Sequence, residues 1–139
     1  MERKIHTTNY FNTFIEVAPD TKATCGTIPP SREQRTVAEI QYNLISKCPY
    51  KYSSDDVLFL VFAEKNGLAQ SEYEQQRKLF FSKGIPCLRT SPLTKSYGFG
   101  IHCNKEGKVA IYGIETEEYH NFLKDDKIQK VKAVRSTRK

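Results

Sequence analysis

The stretch Tyr97–Ile114, YGFGIHCNKEGKVAIYGI, decides the fold. Tyr97, Phe99, Ile101 and Cys103 alternate with Gly98, Gly100 and His102, the period of two expected where successive side chains take opposite faces of a strand. NKEGK supplies polar turn residues, and Lys108 to Ile114 reads as the returning strand, so the stretch is predicted to be a β-hairpin. A similar alternation runs from Tyr10 to Ala18: Phe11, Thr13, Ile15 and Val17 interleave with Tyr10, Asn12, Phe14 and Glu16 until Pro19 and Asp20 stop the strand. Ile128 to Val134 is the candidate for a last strand. These segments predict a small antiparallel sheet.

Helix signals fill the middle of the chain. Thr36 and Glu39 have capping-box spacing, and Val37, Ile40, Leu44 and Ile45 share one helical face until Pro49. Ser53 and Ser54 precede Asp55 and Asp56, placing a hydroxyl cap and two carboxylates where a helix exposes unpaired amides and the positive end of its dipole. The apolar run Val57 to Ala63 would also suit a buried strand, but the acidic first turn and the exit through Asn66 and Gly67 favour a helix over Asp56 to Lys65. Ser71 and Glu74 repeat the capping spacing ahead of a helix carrying Tyr73, Phe80 and Phe81, and Thr116, Glu117 and Glu118 start a short helix with Tyr119, Phe122 and Leu123. Between Asp20 and Arg35, Gly26 and the Pro29–Pro30 pair predict a long loop, of the kind that serves as a binding lid, or a short strand around Ala23 to Ile28. The expected architecture is α+β: an antiparallel sheet from the N-terminal strand, the hairpin near residues 97–114 and the C-terminal strand, packed against three to four helices. One domain spans residues 1–139.

A chain of 139 residues buries about 68% of its unfolded surface and needs neither disulfide nor metal to hold together. Cys25, Cys48, Cys87 and Cys103 show no paired C-x-x-C spacing and read as reduced thiols of a cytoplasmic protein. No apolar signal core or membrane-length apolar run is present. The net charge of +6 is concentrated: from Lys124 onward seven cations face only Asp125 and Asp126, so all but one unit of positive charge lies in segment 124–139. A nearly neutral body argues against a nucleic-acid partner, and lysines on an edge strand explain the basic segment, although that segment keeps nucleic-acid binding open as an alternative.

The densest collection of reactive side chains is Pro86 to His102, PCLRTSPLTKSYGFGIH. Arg89, Ser91, Lys95, Tyr97 and His102 are the candidate ligand-binding residues, because a guanidinium, an ammonium and hydroxyls on one loop could cradle an anion. The structural alternative pairs Arg89 with Asp55 and Asp56 and leaves the hydroxyls to cap turns. Gly98 and Gly100 leave a groove for a backbone, a ring or a ligand, and His102 projects from that same face. Cys87 with His102 is the conceivable nucleophile and base of an enzyme, although a buried cysteine more often fills space. No metal-ligand spacing, cofactor motif or assigned catalytic residue emerges.

The strings NYFNTFIEVA, PYKYSSDDVLFLVFAEKN, FFSKGIPCLRTSPLTKSYGFGIH, KVAIYGIETEEY and KAVRSTRK together resemble a bacterial family of small single-domain proteins catalogued as a domain of unknown function. The resemblance runs from about Thr8 to the C-terminus. Phe99 stands where such proteins commonly carry tryptophan, so an aromatic is kept. The resemblance implies a bacterial cytosolic protein with an ordered C-terminal segment and transfers no chemistry. The functional expectation is therefore a non-enzymatic module that binds a small anionic ligand or an acidic protein partner. An enzyme using Cys87 or His102 is the alternative.

Overall fold

The computed structural model describes residues 6–135. Among them the elements follow in the order β1 (Thr13–Glu16), α1 (Val37–Lys47), α2 (Ser54–Lys65), α3 (Tyr73–Phe80), α4 (Pro92–Lys95), β2 (Phe99–Cys103), β3 (Val109–Gly113), α5 (Glu117–Lys124) and β4 (Gln129–Lys132), with 3-10 turns at Gln70–Glu72 and Leu88–Thr90. The α+β class is as the patterns require. Arg138 and Lys139, part of the basic segment, lie outside the described residues.

The sheet order is β3-β2-β1-β4. β2 pairs antiparallel with both β3 and β1, placing Ile101 opposite Ile111 and Ile15. The expectation of an antiparallel sheet throughout is corrected at β4, which pairs parallel with β1, Ile15 facing Val131. The cause is the connection. β3 and β1 both run antiparallel to β2 and so run the same way; a helix between β3 and β4 returns the chain to its starting end, so β4 enters in the direction of β3. β1 is also shorter than its alternation suggests, because Asn12 turns into a left-handed conformation (φ 50°) just before it. The segment around Ala23 to Ile28 is loop, not strand.

Both faces of the sheet are covered. On one, Ile15, Ile101, Cys103 and Val109 join Ile45, Val57, Leu88 and Leu93 in the main core. On the other, α5 lays Tyr119 and Phe122 against Phe14, with ring centroids 4.9 and 5.0 Å apart. Consecutive β1 residues Thr13, Phe14 and Ile15 are consequently all buried. Tyr119 also accepts a hydrogen bond from the Val17 amide at 3.0 Å, tying α5 to the chain leaving β1.

The helix caps behave as their chemistry predicts, with two shifts. Thr36 accepts from the Glu39 amide at 3.2 Å, but the Glu39 carboxylate turns away to accept from Ser31 Oγ at 3.3 Å. Ser53 and Asp56 make the reciprocal box at 3.1 and 3.0 Å, and α2 begins at Ser54 with Val57, Phe59, Val61 and Ala63 buried. Before α3 the predicted Ser71–Glu74 box is replaced by Glu72, which accepts from the Ala69 amide at 3.1 Å and closes a 3-10 turn first. Thr116 caps α5, accepting from the Tyr119 amide at 3.2 Å.

Candidate functional site

The side chains of the dense block take separate partners. The hydroxyl donors turn inward: Ser91, buried, donates to Gln41 Oε1 at 2.5 Å and accepts from the Leu93 amide at 3.1 Å, while Thr94, fully buried, donates to the Ser91 carbonyl at 3.0 Å. Pro92 at the first helical position and Ser91 as its cap start the single turn of α4, in a segment expected to be loop. Arg89 meets neither Asp55 nor Asp56. Its Nε donates to the Lys132 carbonyl at 2.6 Å while its own carbonyl accepts from the Val134 amide at 2.8 Å, so Arg89 clamps the outer edge of β4. Asp56 instead holds Arg77 at 2.8 Å, and Asp55 accepts from Thr7 and Thr8. Burial would raise the Asp56 carboxyl, but the Ser53 amide and the Arg77 guanidinium outweigh it and hold it below the usual range.

His102 lies on the α5 face, where the alternation puts it. Its ring stacks on Phe122 at 4.3 Å, and Tyr50 Oη sits 2.9 Å from its Nδ1 and 2.8 Å from Tyr112 Oη. Burial pushes the His102 pKa down, with Asp125 acting in the opposite sense, and burial raises Tyr50, reinforced by its bond to Tyr112. His102, Tyr50 and Tyr112 thus form one hydrogen-bonded chain of an imidazole and two phenols. Cys87 is elsewhere: its Sγ lies 3.5 Å from Tyr10 Oη, and Tyr10 packs against the main core, on the sheet face opposite α5. The Cys87–His102 pair therefore has no shared contact through which to act. Cys103 is buried in the main core, which pushes its thiol up to about 12 and leaves it un-ionised near neutrality. All four cysteines are free, and among the described residues no group of three or more His, Cys, Asp and Glu could hold a metal ion.

The groove beside the glycines is filled by a backbone and by rings. Gly98, in the left-handed region at φ 77°, has the Cys25 carbonyl where a Cβ would stand, and at Gly100 a Cβ would come within 2.6 Å of the Tyr119 ring. The Thr27 amide donates to the Tyr97 carbonyl at 2.8 Å, and the Gly26 amide donates to Glu115 at 2.8 Å. The loop after β1 is thus held against the start of β2. Tyr97 itself packs against the main core.

Holding that loop in place creates a cleft of about 530 Å³, and Lys95 is the one predicted site residue that lines it. Lys22 joins Lys95 in the lining, together with the hydroxyl residues Thr21, Thr24, Thr27 and Ser96. Asp20 is also in the lining, engaged in an interaction of its own. Two ammoniums and the hydroxyls of Thr21, Thr24 and Ser96 in one concave surface can offer an anion donors, while Thr27 Oγ1 donates to the Cys25 carbonyl at 3.5 Å. Lys22 and the three threonines were missed by sequence reasoning. Their signal was the three-residue spacing of Thr21, Thr24 and Thr27 around a lysine, in a segment recognised only as a loop.

Two smaller clefts of about 410 Å³ each share Glu74 and Arg77, whose guanidinium is already bound to Asp56 and lies over the Phe59 and Phe81 rings at 5.7 and 5.6 Å. No helix among the described residues is long and apolar enough to cross a membrane. No curated protein and no solved structure matches the chain. A match over residues 5–139, nearly the full length, shows that the chain belongs to DUF6157, a family of unknown function.

Proposed function

We propose that the protein is a non-enzymatic binding module for a small anionic ligand, taken up in the cleft between the Asp20–Thr27 loop and the end of α4. The observation that carries this reading is the convergence of Lys22 and Lys95 with four hydroxyl residues on one cleft. The loop that supplies Lys22 is seated on β2 by the close approaches at Gly98 and Gly26. Arg89, Ser91, Tyr97 and His102 serve the scaffold in this reading, and the anion is held by Lys95 together with residues from before the first helix. Four free cysteines accord with a reducing cytoplasmic setting.

The test is a thermal-shift titration with inorganic phosphate and citrate. A ligand bound only by the folded state, at about a hundred times its dissociation constant, adds about 2.7 kcal/mol to stability. Lys95→Ala and Lys22→Ala should each remove most of that stabilisation. Arg89→Ala should lower the starting melting temperature and leave the ligand-induced rise intact. A rise that survives both lysine substitutions, or that vanishes in Arg89→Ala, overturns the placement of the site. Turnover lost in Cys87→Ser or His102→Ala would favour the enzyme alternative, and salt-sensitive RNA or DNA binding lost on removing Arg135 onward would favour the nucleic-acid alternative.

A further inference from the structure

A separate cavity of about 660 Å³ is bounded by α1, α2 and the start of α3. Its size falls in the range of about 300–1,000 Å³ typical of small-molecule sites. Leu44, Leu60 and Leu68 line it and are only half-buried, so their outer surfaces stay in contact with water. Tyr52 and Tyr73, also half-buried, add ring surface.

The rim sets the charge of what fits there. Arg35 is paired with Glu64 at 3.0 Å and approaches Glu39 at 4.0 Å, so its charge is offset within the protein and is not left for a ligand. Lys47 is exposed, at the last residue of α1, and has no acidic partner among the described residues. Asn43 precedes it by four residues on the same helix, which puts the two side chains on one face with Cβ atoms about 5–6 Å apart. The Asn43 side chain also has no hydrogen-bond partner among the described residues. An amide donor and an ammonium one turn apart match the two oxygens of a single carboxylate, and a leucine surface beside them matches an apolar body.

We propose that this α1–α2 groove is a second binding site, selective for a small monocarboxylate with an apolar body, its head group held by Asn43 and Lys47 and its body laid on Leu44, Leu60 and Leu68. Lys47 lies in the last turn of α1, at the helix's negative pole. A ligand with two or more negative charges would meet that pole with only one cation to offset it, so the site discriminates by charge as well as by polarity. It is independent of the Lys22–Lys95 cleft in position and in chemistry.

The test uses the full chain, isotope-labelled, titrated with sodium decanoate below its micelle threshold, with 1-decanol and inorganic phosphate as comparators, and followed by backbone amide shifts and calorimetry. Saturable one-to-one decanoate binding is expected, with shifts concentrated in residues 40–48 and 60–68. Lys47→Ala should weaken decanoate at least tenfold, and Asn43→Ala should weaken it severalfold; both sit on the rim, and melting temperatures check that the fold is retained. Decanol should bind at least tenfold more weakly than decanoate to wild type and equally to wild type and Lys47→Ala. The proposal is overturned by no saturable decanoate binding, by decanol binding as tightly as decanoate, by unchanged affinity in Lys47→Ala, or by decanoate shifts centred on residues 20–27. Phosphate shifts at 20–27 speak only to the other cleft, so the two sites stand or fall separately.

Discussion

Phe14 reports whether α5 closes the second face of the sheet. Its side chain is completely buried, edge-on to Tyr119 at 81° and stacked on Phe122 at 22°. Truncating a buried phenylalanine costs about 3–5 kcal/mol, and each aromatic pair contributes about 0.5–1.5 kcal/mol beyond area burial. Phe14→Ala loses both partners and should fall at the upper end, about 4–5 kcal/mol. A domain of this kind is stable by about 5–15 kcal/mol, so that variant could be substantially unfolded. Phe14→Leu keeps most of the apolar volume and loses the ring pairs, for an expected cost of about 1–2 kcal/mol. Phe11, three residues earlier, is 55% exposed, and Phe11→Ala should cost about 1 kcal/mol or less. Urea unfolding followed by circular dichroism gives all three values, provided the slope with denaturant is unchanged. If Phe14→Ala costs no more than Phe11→Ala, α5 does not pack on the sheet and the account of the second face is wrong.

Ser91→Ala removes both a helix cap and the donor to the buried Gln41 carbonyl, and should cost about 2–4 kcal/mol in equilibrium unfolding, whereas exposed Thr90→Ala should cost about 1 or less. Phe59→Ala should cost about 3–5 kcal/mol, exceeding the half-exposed Leu58→Ala and Leu60→Ala by at least about 1; the reverse order would mean that α2 is rotated. His102 has a folded pKa below its ordinary value, so the unfolded chain takes up the proton first as pH falls. Its contribution is complete above about pH 6.5 and is lost as pH falls from there through the depressed folded value. His102→Gln should reduce the loss of unfolding free energy between pH 7.5 and pH 5.5; an unaltered loss would show that the imidazole does not titrate with folding.

Local chemistry was legible in the chain. Ser53 with Asp56, Thr36 and Thr116 carry their cap functions in their own side chains, and strand alternation around His102 and Ile101 follows from backbone geometry alone. The hairpin was readable for the same reason, since its turn lies between its strands. The direction of β4 was not, because it depends on where α5 takes the chain rather than on any property of Gln129–Lys132.

The sites divide in the same way. Sequence placed a guanidinium, an ammonium and several hydroxyls within a few residues, but nearness along a chain does not set the direction of side chains across a one-turn helix and a strand. Packing of α4 buried Ser91 and Thr94, and the β4 edge captured Arg89. Lys95 found its neighbours in a loop more than sixty residues earlier, brought there by the close approach of Cys25 to Gly98. The residues alone carried α1, α2, α5 and the hairpin, because caps, apolar faces and turns depend on interactions within a few residues, whereas the single turn of α4 and the course of 23–28 were not legible there. Which charged groups share a cleft was set by the packing of distant segments, whose surfaces no local pattern describes.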